Sequence, residues 1–165
     1  MVISKIEFRQ LTQNDLPSLL ELYVQLDENN RDLTAQGSVP VWEEISKNPD
    51  IKYFGAVDTS AAGGPKVVST CFTIIIPNLT AHGHSICFLE NVVTDSAYRK
   101  QGLARKVIEM AIEDAKAHNC YKMILQSSCQ RKEAHKFYEN LGFDGNKKKA
   151  FDLRLGKQGL SPFSI

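Results

Sequence analysis

Apolar and polar positions change their period several times along the chain, and each change marks an element. Residues 3–11 alternate Ile3, Ile6, Phe8 and Leu11 loosely with Lys5, Glu7 and Arg9, the pattern of a half-buried strand. Thr12, with Asp15 three positions on, makes a weak form of the capping box. Leu16, Leu19, Leu20 and Tyr23 follow at helical spacing, which predicts a first helix to about Leu26. The polar stretch 27–40 contains Gly37 and Pro40 and predicts a loop, with a short helix over 42–47.

Residues 52–58 and 66–77 predict two strands, and the Gly- and Pro-containing segment 59–65 between them fits a hairpin loop. A turn over 78–83 leads to a third apolar run, 85–94, so the natural arrangement is an antiparallel meander. From Leu103 the period lengthens: Leu103, Val107, Ile108, Ala111, Ile112 and Ala115 trace one helical face up to Asn119. Met123, Ile124 and Leu125 form a short buried strand. Ala134, Phe137, Tyr138 and Leu141 then define a final helix that Gly142 is placed to end. Phe143 and residues 150–155 supply the last strand material.

The strand–helix–strand segment 85–126 fits a right-handed crossover between parallel neighbours in an otherwise antiparallel sheet. The fold class is therefore mixed α/β (α+β), a mostly antiparallel sheet with flanking helices. One domain is expected over residues 1–165, with 156–165 as a mobile tail.

Composition narrows the function. The 165 residues, 42% hydrophobic and 24% charged, have the balance of one globular domain that needs neither disulfide nor metal to fold. Twenty Lys+Arg against nineteen Asp+Glu leave a net charge of +1, which argues against a general nucleic-acid binder and makes any charged site local. Cys71, Cys87, Cys120 and Cys129 lie far apart without a C-x-x-C pair, the usage of buried reduced thiols in a cytoplasmic protein. No signal-peptide pattern opens the chain, and the apolar stretch around 72–76 falls far short of the roughly 20 residues of a membrane span.

One segment breaks a local rule. Residues 98–106 carry Arg99, Lys100, Arg105 and Lys106 and no acid across a helix start. Cations there oppose the helix macrodipole by a few tenths of a kcal/mol each, so the placement points to a bound anion. Gly102 lets backbone come close to such an anion, and the amides from about Gln101 to Arg105 can donate to phosphate oxygens. Neither G-x-x-x-x-G-K-[ST] nor G-x-G-x-x-G is present, which sets aside the common ATP and NAD loops.

Arg99-x-x-Gly102-x-Ala104, following Glu90-Asn91-Val92-Val93-Thr94-Asp95, resembles the coenzyme A signature of the GCN5-related N-acetyltransferases (GNAT), and Phe137-Tyr138-Glu139-Asn140-Leu141-Gly142-Phe143 is a second match in the family's order. The resemblance spans about residues 85–143. It implies the family's acyl-CoA N-acyltransferase fold and acetyl-CoA as cosubstrate, with no metal. In the family, the strand matching 89–94 is splayed by a bulge and holds the pantetheine arm and thioester carbonyl, a role that falls here to Val92, Val93 and Thr94. The pyrophosphate falls to Arg99, Lys100, Gln101, Gly102, Leu103, Ala104 and Arg105.

An attacking alkyl amine is no more than about one part in a thousand unprotonated near pH 7, so a proton acceptor is needed. Glu90 is the candidate, acting directly, through water, or as an anchor for the substrate amine. Tyr138 matches the family's helix tyrosine and is assigned to hydrogen-bond the departing thiolate; its spacing equally suits a core residue. Direct attack without an acyl-enzyme is expected. Arg131 stands where many members have an Asn that contacts pantetheine, and Ser127, Ser128 or Gln130 could replace that contact.

Other features have plain readings. His82 and His84 lack a third ligand and read as exposed turn histidines, Cys129 as structural rather than nucleophilic with His135, and Lys147–Lys149 as a solvated turn. The stretch 27–40 is expected to face substrate. The implied activity is acetyl transfer from acetyl-CoA to a primary amine on a small molecule. Residues 90–106 with 119–122 are particularly like the glucosamine-6-phosphate acetyltransferases, which points to an amino sugar phosphate. Another small amine, a peptide or protein amino group, and a non-catalytic acyl-CoA sensor remain open. The resemblance also suggests a homodimer and gives no role to nucleic acid or membrane.

Overall fold

The computed structural model describes residues 5–153. The chain separates into two compact units, residues 1–125 and 126–165. The first runs β1 (Ile6–Gln10), α1 (Leu16–Val24), α2 (Ala35–Lys47), β2 (Ile51–Asp58), β3 (Lys66–Ile76), β4 (Ser85–Thr94), α3 (Leu103–Ala117) and β5 (Cys120–Leu125). The second contains α4 (Lys132–Glu139).

The five strands form one sheet in chain order. β1 to β4 pair antiparallel as a meander, and β5 joins β4 in parallel through α3. Strand alternation then sorts side chains to two faces. Val57, Val67 and Val93 form a core with Leu16, Leu19, Leu22 and Tyr23 of α1 and Trp42 of α2. Cys71 points the other way, toward the Val107 carbonyl of α3, where Val107, Ile108 and Ala111 are fully buried. Each fully buried Val, Leu or Ile on these faces contributes about 1.5–3 kcal/mol, so the two covered faces supply most of this unit's stability.

The β1–α1 junction closes as its sequence predicts. The Asp15 carboxylate accepts from the Thr12 amide at 2.7 Å and takes both guanidinium nitrogens of Arg9 at 2.7 Å. Burial alone pushes Asp15 up, but Arg9 and Thr12 outweigh it and hold the carboxyl below the usual range.

Residues 27–40 are not the expected loop. A 3-10 turn covers Glu28–Asp32 and α2 starts at Ala35, capped by the Thr34 hydroxyl, which accepts from the Gly37 amide at 3.1 Å. Pro40 sits inside α2 because burial of Trp42, with Ala35 and Val39 packed beside it, outweighs one lost helical hydrogen bond.

The expected strand at Phe143 and 150–155 is also absent from the described residues. Phe151 and Leu153 stand 86% and 80% exposed, and alternation alone makes no strand without a neighbouring ladder. Residues 154 and 155, and the expected tail 156–165, lie outside the described residues. Among the described residues, no helix is long and apolar enough to cross a membrane.

Cys71 and Cys87 are buried, Cys120 is half-buried, and all four thiols are free. Burial pushes the Cys87 thiol up to about 12, which makes it inert as a nucleophile. Cys129 departs from the buried-thiol expectation: it is exposed in the turn before α4.

Candidate active site

The site is built where β4 leaves its neighbour. β4 keeps its β3 partner as far as Thr94, but its parallel pairing to β5 ends at Leu89 opposite Leu125. Residues 90–94 therefore carry no β5 ladder, and their free edge offers backbone donors and acceptors. A bulge lies at the same place: Glu90 faces Phe72 and Val93 faces Thr70, so Asn91 and Val92 together oppose Cys71. Asn91 takes φ of +50°, a left-handed conformation that asparagine tolerates better than most residues. Val92 and Thr94 are half-buried and Val93 is buried. The Thr94 hydroxyl is tied to Ser69 Oγ at 2.7 Å, which fixes this end of the strand.

Glu90 is half-buried, and burial raises its carboxyl above the usual glutamate range, toward the value a general base needs. It stands beside an aromatic row. Phe72 stacks on Tyr53 at 5.0 Å between centroids, and Tyr53 meets Trp42 of α2 at 5.2 Å.

Residues 95–102 carry the chain from β4 to α3. Asp95 accepts from the Ala97 amide at 2.9 Å, its carbonyl accepts from the Tyr98 amide at 2.8 Å, and Arg99 Nε reaches the Thr94 carbonyl at 3.3 Å. Lys100 and Gly102 both have positive φ, +62° and +76°, and Gly102 is the N-cap of α3 without any side-chain cap. The first turn of α3 contains no acid. Helix geometry leaves the Gly102, Leu103 and Ala104 amides without an intrahelical acceptor. Among the described residues, a Cβ built on Gly102 meets no atom within 4 Å, so there is open space beside the start of α3. Arg99, Lys100, Gln101 and Arg105 are exposed around it, Ala104 is half-buried, and Leu103 anchors the turn in the core. Arg105 also lies 3.6 Å from Glu109 one turn on. Open amides, a left-handed glycine and exposed cations suit a diphosphate.

Sequence reading missed what holds this loop. Lys66 Nζ donates to Asp95 at 2.7 Å, the Tyr98 hydroxyl donates to Asp58 at 2.9 Å, and Ser60 donates to Asp58 through both amide and hydroxyl. Asp95 and Asp58 are 4% and 3% exposed. For Asp95, burial pushes the carboxyl up, and Lys66 and the Ala97 amide more than reverse it. The Asp-x-Ala spacing was a readable turn signal; its partner, 29 residues away, was not.

In the second unit, Tyr138 is buried, with its ring edge-on to Phe143 at 6.0 Å and tilted to Phe137 at 5.3 Å. Gly142, φ +95°, ends the segment as predicted. Of the three residues suggested as substitutes at the Arg131 departure, Ser127 keeps a buried Oγ with no hydrogen-bond partner among the described residues. Ser128 is occupied: its carbonyl lies 2.9 Å from His135 Nε2, and its hydroxyl accepts from the Gln130 amide at 3.4 Å. His82 is exposed, as expected, but His84 is half-buried, with Nδ1 3.2 Å from the Asn119 carbonyl.

Comparison with known proteins agrees with this geometry. The acetyltransferase (GNAT) family profile matches residues 16–143. A glucosamine 6-phosphate N-acetyltransferase of Trypanosoma brucei brucei is 30% identical over 145 residues, 86% of this chain and 90% of that protein. A solved structure from Agrobacterium tumefaciens strain C58, assigned as an acetyltransferase, superposes with a TM-score of 0.80 at 37% identity, covering 90% of this chain and 99% of that one. The crystal structure of glucosamine-6-phosphate N-acetyltransferase from Arabidopsis thaliana gives a TM-score of 0.79 at 25% identity, covering 92% and 99%. The chain belongs to the GNAT family and is an acetyl-CoA-dependent N-acetyltransferase.

Proposed function

We propose that the protein acetylates the amine of a small molecule, with an amino sugar phosphate as the first acceptor to test, acting as a single catalytic domain in the cytoplasm. The observation that carries this reading is the pairing of the β4 splay with the uncapped start of α3, two anion- and carbonyl-binding features joined by one short loop. The names of the Trypanosoma and Arabidopsis relatives support the acceptor class. Four free thiols support a reducing compartment. A homodimer stays part of the proposal.

Acetyl-CoA, when bound, supplies an activated acetyl thioester. The β4 segment Val92, Val93 and Thr94 has no β5 partner, and those of its backbone groups that face the free edge hold the pantetheine arm and polarise the thioester carbonyl. Arg99, Lys100, Gln101, Gly102, Leu103, Ala104 and Arg105 hold the diphosphate. Glu90 accepts the proton the amine must lose; its raised pKa brings the carboxylate nearer the operating pH. Ser127 Oγ is assigned the hydrogen bond that the family's asparagine makes, since its buried oxygen has no partner among the described residues. Tyr138 is assigned to the leaving thiolate. A thiol of pKa near 8.5 departs readily, so that assistance is modest.

Thiol release from acetyl-CoA is the test, against glucosamine 6-phosphate, glucosamine, an alkyl diamine and an N-terminal peptide. Turnover on the phosphorylated amino sugar supports the acceptor class, and turnover only on the peptide transfers the activity to protein substrates. Tight coenzyme binding without turnover on any amine overturns catalysis in favour of sensing.

A further inference from the structure

Two buried carboxylates lie under the coenzyme loop and belong to none of the roles above. Asp58 closes β2 and Lys66 opens β3, and the two are register partners at the mouth of that hairpin. Lys66 reaches Asp95 at the end of β4, and Tyr98 reaches back to Asp58, so two long-range bonds cross between the hairpin and the 95–98 turn in opposite directions. The Lys66 ammonium also sits 5.9 Å from the centre of the Tyr98 ring. A third tie comes from α1, whose C-cap residue Gln25 accepts from the Ser96 amide at 2.9 Å. The turn ends at Arg99, immediately before the two left-handed residues Lys100 and Gly102.

We propose that Asp95 and Lys66, backed by Asp58 and Tyr98, are positioning residues that fix the diphosphate socket; this rests on the coenzyme reading of residues 99–105. None of the four is assigned to touch the coenzyme. Their effect passes through the turn. Charge-assisted hydrogen bonds are short and directional, and removing one partner leaves the other charge buried and uncompensated. Asn at 95 can still accept from Ala97, but its amide group faces the Lys66 ammonium donor to donor, so the tie to the hairpin is lost while the local turn survives. A loop tied at three points presents its amides in one geometry. With the ties cut, part of the coenzyme's binding energy goes into ordering the loop, and affinity falls without change in the reacting groups.

The experiment compares wild type with Asp95→Asn, Lys66→Met and Lys66→Arg by calorimetry with coenzyme A, steady-state kinetics and thermal melting. Asp95→Asn and Lys66→Met are expected to raise the coenzyme Kd and the acetyl-CoA KM on the order of tenfold, with kcat at saturation within about threefold. Lys66→Arg keeps the charge and should recover most of the affinity. Variants that melt earlier yet bind coenzyme within about twofold of wild type would overturn the inference and leave the coenzyme site standing. A fall in kcat with unchanged KM would overturn it as well. Wild type that binds no coenzyme A would overturn both the site and the inference. If Asp95→Asn does not fold, Lys66→Met, whose side chain is 37% exposed, carries the same test.

Discussion

Two strand-to-helix junctions of this fold solve the same problem in opposite ways. At β1–α1 the protein supplies its own anion: Asp15 precedes α1, and although its side chain makes no hydrogen bond to the helix amides, its carboxylate accepts the Thr12 amide and pairs with Arg9. At β4–α3 the aspartate is held back at position 95, seven residues before the N-cap, and spends its charge on Lys66 and Ala97. Gly102 caps α3 with nothing, and the cations Arg99, Lys100 and Arg105 surround the open amides. A helix end that carries its own anion is finished. One furnished with cations and space is waiting for an anion from solution.

The strongest way to break this comparison is Gly102→Trp. A side chain there meets no protein atom at its root, so the fold should persist, while its ring fills the anion's place. Coenzyme affinity should fall by about 100-fold or more, near 3 kcal/mol, while the left-handed φ separately costs about 1–2 kcal/mol of folding stability; calorimetry on the folded variant reads the affinity directly. Unchanged affinity would remove the open-end interpretation.

Glu90→Gln separates chemistry from grip. It should lower kcat by about 100-fold, leave the acetyl-CoA KM near wild type and abolish the acidic limb of the rate profile. That limb should lie above the ordinary glutamate range because burial raises the Glu90 pKa. The sign for stability is opposite to that for activity. A carboxyl whose folded pKa is raised favours the fold below its unfolded pKa and loses that contribution as pH rises through the folded value, so Glu90→Gln should melt slightly higher at neutral pH.

The closed junction makes the complementary prediction. Asp15→Asn should cost about 2 kcal/mol of stability at neutral pH, by urea denaturation, and leave the coenzyme KM within about twofold. Asp15 is held below its usual range, so its contribution is present above the unfolded pKa and is lost as pH falls through the folded one. An acid-side melting series on wild type and variant should converge. Coenzyme affinity that falls with Asp15 would erase the distinction between the two junctions.

The smallest effect sharpens the comparison most. Gln101→Glu gives the open end part of what the closed end has, an acid near the amides. It should raise the acetyl-CoA KM about fivefold, an effect that weakens with added salt, and move the melting temperature by no more than a degree or two. A salt-independent loss would mean the socket works by shape rather than charge.

The local features of these junctions were legible because their causes are local. A misplaced set of cations, a glycine and a nearby family motif point to the proposed α3 socket, and Thr12 with Asp15 identifies the α1 start, each within a few residues. Periodicity likewise gave the meander and the crossover, since one buried face imposes one spacing. Residues 27–40 misled because their glycine and proline are local signals, whereas the burial of Trp42 that sustains α2 depends on the sheet beneath it. Phe151 and Leu153 misled in the other direction: alternation announces a strand, but a strand requires a partner.

What the amino-acid order determined by itself, then, is the meander, the crossover, the resemblance to a coenzyme motif and the residues able to bind an anion, all consequences of neighbours along the chain. Tertiary structure alone decided that Glu90 stands half-buried beside Phe72, that β5 releases β4 after Leu89, and that Lys66 and Asp58 reach across to Asp95 and Tyr98. Those facts depend on pairing and desolvation between residues tens of positions apart, and burial changes the energy of a charge only once the fold has removed its water.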